Sequence, residues 1–154
     1  MGLSASKPSP RPAVPEDKIR LCVSGFGLSP HTGRARKIAE MIVSTYPDKY
    51  ETWFYFDSFG HYDFLAKVKA ELSEEQQQKF ASHTSSPFCW LEMPDGSKNA
   101  IGGRDRLVDW ANENFKDQEK DAPFLDLCKQ DPPFHLSETL YPRQSKTPAT
   151  AKTE

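Results

Sequence analysis

The stretch from Lys18 to Phe56 constrains the fold more than any other. Lys18 to Ser24 (KIRLCVS) sets Ile19, Leu21 and Val23 on one side, the alternation of a strand with a buried face. After Gly25 to Leu28, Ser29 suits a helix N-cap and Pro30 the first helical position, where a missing N–H goes unneeded. Ala35, Ile38, Ala39, Ile42 and Tyr46 then recur at helical spacing until Pro47 ends the run. Tyr50 to Phe56 (YETWFYF) is aromatic and dense enough for a second strand. Strand, helix and strand in this order predict a parallel pair joined by a right-handed crossover.

The remaining elements follow from the same signals. His61 to Ser82 carries Phe64, Leu65, Val68, Leu72 and Phe80 among Glu, Gln and Lys, a surface helix interrupted at Ser73, where Ser-Glu-Glu-Gln resembles a capping box. Pro87 to Glu92 reads as a short strand, Pro94-Asp95-Gly96 as a turn, and Ser97 to Ile101 as the returning strand of a hairpin. Gly102-Gly103 breaks that strand, and Asp105 to Phe115 is a last amphipathic helix. The order βαβαββα predicts an α/β domain, a mixed four-stranded sheet flanked by helices on both faces.

Proline usage sets the boundaries. Of 13 prolines, Pro8, Pro10, Pro12 and Pro15 lead in, and Pro123, Pro132, Pro133, Pro142 and Pro148 trail out. The expected organisation is a flexible arm over residues 1–17, a domain over 18–116, and a mostly disordered tail over 117–154. Within the tail, Phe124, Leu125 and Leu127 are expected to pack back on the core, while Leu136 to Tyr141 and Thr147-Pro148 are candidate docking and phosphorylation segments.

A formal charge of -2 leaves no footprint for nucleic acid. Cys22, Cys89 and Cys128 are too few and too scattered for a disulfide scaffold or a zinc site. His31, His61, His83 and His135 have no ligand spacing, so no metal is expected and the four read as surface residues. No apolar run is long enough to cross a bilayer and no secretory signal is present, which together favour the cytoplasm. The opening MGLSAS fits the N-myristoylation pattern, with Gly2 as acceptor and Ser6 at the required position. One acyl chain binds a bilayer only marginally, at about 10⁴ M⁻¹. Lys7, Arg11, Lys18 and Arg20 form only a dilute basic set, so a protein partner at the membrane is expected as the second contact.

Three short motifs, in order, carry a family resemblance. A helix opens at Ser29-Pro30-His31-Thr32, Ser85-Ser86-Pro87 leads into the third strand, and Gly102-Gly103-Arg104-Asp105 follows the fourth. Over about Ile19 to Phe115 the chain resembles the glutaredoxins, and so a thioredoxin-like fold of the glutaredoxin type. Those proteins place Cys-Pro-Tyr-Cys, Thr-Val-Pro with a cis proline, and Gly-Gly-x-Asp at the matching positions. The resemblance implies a glutathione or extended-peptide cleft at Ser29, His31, Arg34, Ser86, Pro87, Gly102, Gly103 and Asp105. There the backbone of Ser86 meets the ligand, the glycines permit close approach, and Asp105 takes the γ-glutamyl ammonium. The departures bear on activity. Both motif cysteines are absent, and Phe26 stands near the position of the lysine that usually precedes the motif. Without a thiolate the chain has no nucleophile for disulfide exchange.

Ser-Pro-His-Thr therefore admits three readings: a simple helix cap with Arg34 and Arg36 facing solvent, a retained anion or peptide site, or a glutathione-transferase-like site. In the last, Ser29 would hydrogen-bond the thiolate of glutathione. The combined expectation is a redox-inactive glutaredoxin-like binding or adaptor module, held peripherally on a membrane through Gly2. It recruits a protein partner, needs no cofactor, and has glutathione as its candidate ligand. The alternative is an enzyme that uses Ser29 in place of a cysteine.

Overall fold

Strand β1 (Ile19–Gly25) alternates between two apolar layers and so occupies an inner position of the sheet. It pairs in parallel with β2 (Tyr50–Phe56), Ile19 opposite Tyr50 and Gly25 opposite Phe56. On its other side it runs antiparallel to β3 (Phe88–Glu92), which in turn pairs antiparallel with β4 (Lys98–Gly102). Helix α1 (Pro30–Thr45) connects β1 to β2, and α2 (His61–Ala70) and α3 (Glu74–Lys79) connect β2 to β3. Helix α4 (Arg104–Asn114) follows β4, and a 3₁₀ turn at Glu119–Asp121 leads into α5 (Ala122–Cys128). The computed structural model describes residues 11–116 and 119–132. The chain is α/β, a mixed four-stranded sheet in the order β2-β1-β3-β4 with helices against it.

Period-two alternation divides the interior. Leu21 and Val23 face a core shared with Ile38 and Ile42 of α1, Leu107 of α4 and Phe124 of α5. Cys22 faces a second core with Trp53, Phe64, Val68 and Trp90, closed by α2 and by Phe80 at the end of α3. Burying a side chain of this size contributes about 1.5–3 kcal/mol. The helix break falls where expected, Ser73 capping α3 by accepting from the Gln76 N–H at 3.3 Å. The Gln76 side chain does not close the box. Its Oε1 accepts from the Ala100 N–H at 2.6 Å and its Nε2 donates to the Lys98 carbonyl at 3.2 Å. These bonds occupy the outer edge of β4, which would otherwise offer free backbone groups to another strand.

Segments at both ends pack onto the domain, Phe124, Leu125 and Leu127 among them as expected. The core does not stop at residue 116: Phe124 is fully buried, Leu127 nearly so, and Leu125 packs against them. Arg34, expected to face solvent near the loop, is 4 % exposed and holds α5 in place. Its Nη1 donates to the carbonyls of Leu127, at 3.2 Å, and of Gln130, where the end of α5 concentrates negative partial charge. Arg36 is also buried, paired with Glu40 one turn on. At the other end the arm is docked from Arg11 onward. Arg20, expected among loose basic residues, is 1 % exposed and donates to the Pro12 and Ala13 carbonyls. Gly2, Ser6, Lys7, His135, Leu136 to Tyr141 and Thr147-Pro148 lie outside the described residues.

Candidate functional site

The loop after β1 and the segment before β3 meet because β1 and β3 are neighbours, with Ser24 opposite Phe88. The Ser86–Pro87 peptide bond is cis. The Ser86 hydroxyl accepts from the Phe26 N–H at 2.8 Å and lies 2.7 Å from Thr32 Oγ1, so one side chain ties the cis segment to both the loop and the first turn of α1. Thr32 is almost fully buried. Ser29 caps α1, its hydroxyl accepting from the Thr32 N–H at 3.4 Å. Among the described residues the Ser86 N–H and carbonyl make no backbone hydrogen bond, and Ser86 lines the cavity beside this segment.

Beside this segment lies an open cavity of about 360 Å³. Five of the eight cleft candidates line it: His31, Ser86, Pro87, Gly103 and Asp105. The other three do not. Ser29 lines an adjacent apolar hollow with Phe26, Leu28 and Tyr62. Gly102, at φ 122°, is the bend that ends β4, and an added Cβ there would lie 2.9 Å from Arg106 Cγ. Arg34 points into α5 instead, so it adds no charge to the cleft.

The cleft is polar and carries more cations than anions. Arg104 Nε donates to His31 Nδ1 at 3.0 Å, and Arg104 Nη2 pairs with Asp105 at 2.9 Å. Asp105 is thus already neutralised by a neighbour, which weakens its expected role as the ammonium receptor. Arg106 lines the same cavity. His83 Nε2 donates to the Pro87 carbonyl, 3.3 Å away, which helps fix the cis segment. Burial holds His83 below its ordinary pKa, so it is neutral at pH 7. His61 is fully buried beneath the Phe26 ring, with Nδ1 3.4 Å from Ser24 Oγ, and burial lowers its pKa as well. His61 is therefore not the surface residue that its isolated position in the sequence suggested, whereas His83 is half-buried at the cavity.

His83, Arg104 and Arg106 were missed as site residues: His83 lies in the loop after α3 and the two arginines in the first turn of α4, where nothing local marks them as cleft residues. The same holds for the apolar hollow, where Leu28 and Tyr62 are more than half exposed.

No thiol is available in the cleft. Cys22, Cys89 and Cys128 are all buried and free. Burial pushes the Cys22 and Cys89 thiols well up, and that of Cys128 to about 11. A thiol so protonated and enclosed is a poor nucleophile. Among the described residues no histidine is hydrogen-bonded to the Ser29 hydroxyl, so no base is placed to activate it. Among the same residues no three His, Cys, Asp or Glu side chains gather to hold a metal ion, and no helix is long and apolar enough to cross a membrane. The arrangement suits binding of an extended anionic ligand, with main-chain contacts at Ser86 and cations at Arg104 and Arg106. No protein-family model matches the chain, and comparison with the curated proteins gives no match.

Proposed function

We propose that the chain is a glutaredoxin-type, thioredoxin-fold binding module without thiol chemistry of its own. It holds a short extended anionic segment, glutathione or part of a partner protein, against Ser86 and Pro87. A myristoyl group on Gly2 keeps it on the cytoplasmic face of a membrane. The supporting observation is the Ser86 backbone at a cis proline, which makes no backbone hydrogen bond among the described residues and lines a cavity whose side-chain cations outnumber its carboxylates. An extended peptide gains affinity by adding main-chain hydrogen bonds at such an edge, and its carboxylates gain from nearby arginines.

The test is a titration of the full chain with reduced glutathione, followed by amide chemical shifts. Saturable shifts at His31, Ser86 and Gly103 are the expected result, and no shift at any of them would overturn the cleft reading. A binding module should keep its affinity within about twofold on Ser29→Ala, since a cap substitution perturbs little beyond the helix end. Loss of binding together with loss of an ionised bound thiol would instead favour a transferase-like enzyme. The tether is checked on the acylated chain. Gly2→Ala is expected to abolish co-sedimentation with lipid vesicles, and unchanged co-sedimentation would refute it.

A further inference from the structure

At the start of β1, away from the cleft, Arg20, Glu51 and Glu92 form a buried cluster, 1 %, 8 % and 5 % exposed. Arg20 Nε donates to Glu51 Oε2 at 2.7 Å and Nη1 to Glu92 Oε1 at 3.1 Å. One cation against two carboxylates leaves this cluster with an uncompensated negative charge, which is costly out of water. Arg11 supplies the balance. Its Nε donates to Glu92 and its Nη2 to Glu71 at 2.7 Å. Its guanidinium carbon lies 5.4 Å from the Trp53 ring centre, 5.9 Å from Phe64 and 5.8 Å from Trp90. A desolvated carboxylate beside three aromatic rings favours a planar cation that forks and stacks, so arginine fits better than lysine.

The rest of the contact is indifferent to side chain. Arg20 reads two main-chain carbonyls, Pro12 at 2.6 Å and Ala13 at 3.2 Å. Among the described residues the arm joins no strand ladder, and it reaches the domain through one turn, closed by the Lys18 N–H on the Pro15 carbonyl at 3.1 Å. It also leaves the groove part empty: a cavity of about 210 Å³ remains between residues 12–14 and the β3–β4 hairpin at Met93, Pro94 and Lys98.

We propose that this groove is a binding site for an extended peptide segment bearing an arginine, offered by a partner protein, and that residues 11–14 occupy it as an internal stand-in. A partner segment with a larger residue where Ala13 lies would fill the open cavity and displace the arm. The site is separate from the cleft at Ser86 and stands or falls independently of glutathione binding.

The experiment uses the full chain carrying Arg11→Ala and a capped synthetic heptapeptide, Ser-Pro-Arg-Pro-Ala-Val-Pro, copying residues 9–15. Trp53 and Trp90 line the socket, so their fluorescence reports its occupancy. The expected result is a saturable change, with the peptide carrying Ala in place of Arg binding at least about tenfold more weakly. The wild-type chain, whose tethered arm competes at high effective concentration, should bind the Arg peptide at least about tenfold more weakly than the variant. A folded variant that gives no saturable change, or that binds both peptides equally, overturns the proposal. Should Arg11→Ala fail to fold, the wild-type chain with excess peptide is the second measurement. Shifts of the Ala13 and Val14 amides, reporting arm release, would support the proposal, and unchanged amides would overturn it.

Discussion

Arg20→Ala is expected to lower the stability of the fold by about 3–5 kcal/mol, the cost of removing one partner from a buried ion pair. Arg20 contributes contacts in three directions: Glu51 on β2, Glu92 on β3, and the arm carbonyls of Pro12 and Ala13. Without it, Glu92 retains Arg11 and the Trp90 indole N–H at 2.9 Å, but Glu51 loses its buried cation. A loss of this size is a large part of the 5–15 kcal/mol that typically holds a domain together. Chemical denaturation is the direct measurement. Arg20→Lys should recover only part of the loss, because an ammonium cannot fork to two carboxylates and two carbonyls at once. Replacing Arg20 and Glu51 together, Arg20→Met with Glu51→Leu, should be far milder than the single change, since Arg11 and Glu92 are left as a balanced pair. A single-variant cost under about 1 kcal/mol would mean that the cluster is solvated in solution, contrary to its burial.

Gly25→Ala is expected to cost about 3 kcal/mol, from overpacking and from disrupted hydrogen bonds. The constraint is space. A Cβ at residue 25 would lie 2.4 Å from Ser86 Oγ, 2.6 Å from Thr32 Oγ1 and 3.2 Å from the Pro87 Cα. The two hydroxyls are hydrogen-bonded to each other, and Ser86 also accepts from Phe26, so neither moves away without breaking a partly buried bond. The prediction includes its rescue. Adding Ser86→Ala removes the closest clashing atom, so the double variant should be more stable than the two single effects added together. Simple additivity, or a single-variant cost near zero, would refute the packing described at the cis segment. Because this contact seats Ser86, Gly25→Ala should also weaken the amide shifts on glutathione titration.

Much of the sheet was legible from residues close in the chain. Ile19, Leu21 and Val23 alternate, Ala35 to Tyr46 repeats at helical spacing, and Ser29-Pro30 and Ser73 are local cap signals, so the elements from β1 to α4 fall close to their expected places. Ser86, Pro87 and Gly103 line the cavity, and they entered as candidates through the resemblance of their short motifs to those of glutaredoxins. The site was not legible at His83, Arg104 and Arg106, which local sequence alone does not mark as cleft residues.

The chain by itself determined the order of its elements and the absence of any cysteine at the start of α1, because periodicity, caps and residue identity are local properties. Tertiary structure decided the fate of the charges. Arg20 alternates with apolar residues and reads as the wet side of a strand, yet the partners that let it be buried lie 31 and 72 positions away. Arg34 reads as solvent-facing until α5, 93 residues on, brings the Leu127 carbonyl to it. Arg11 reads as part of a loose arm until Glu92 and three aromatic rings from separate elements enclose it. A charge is buried only when distant residues neutralise it, and that pairing exists only once the sheet has brought them together.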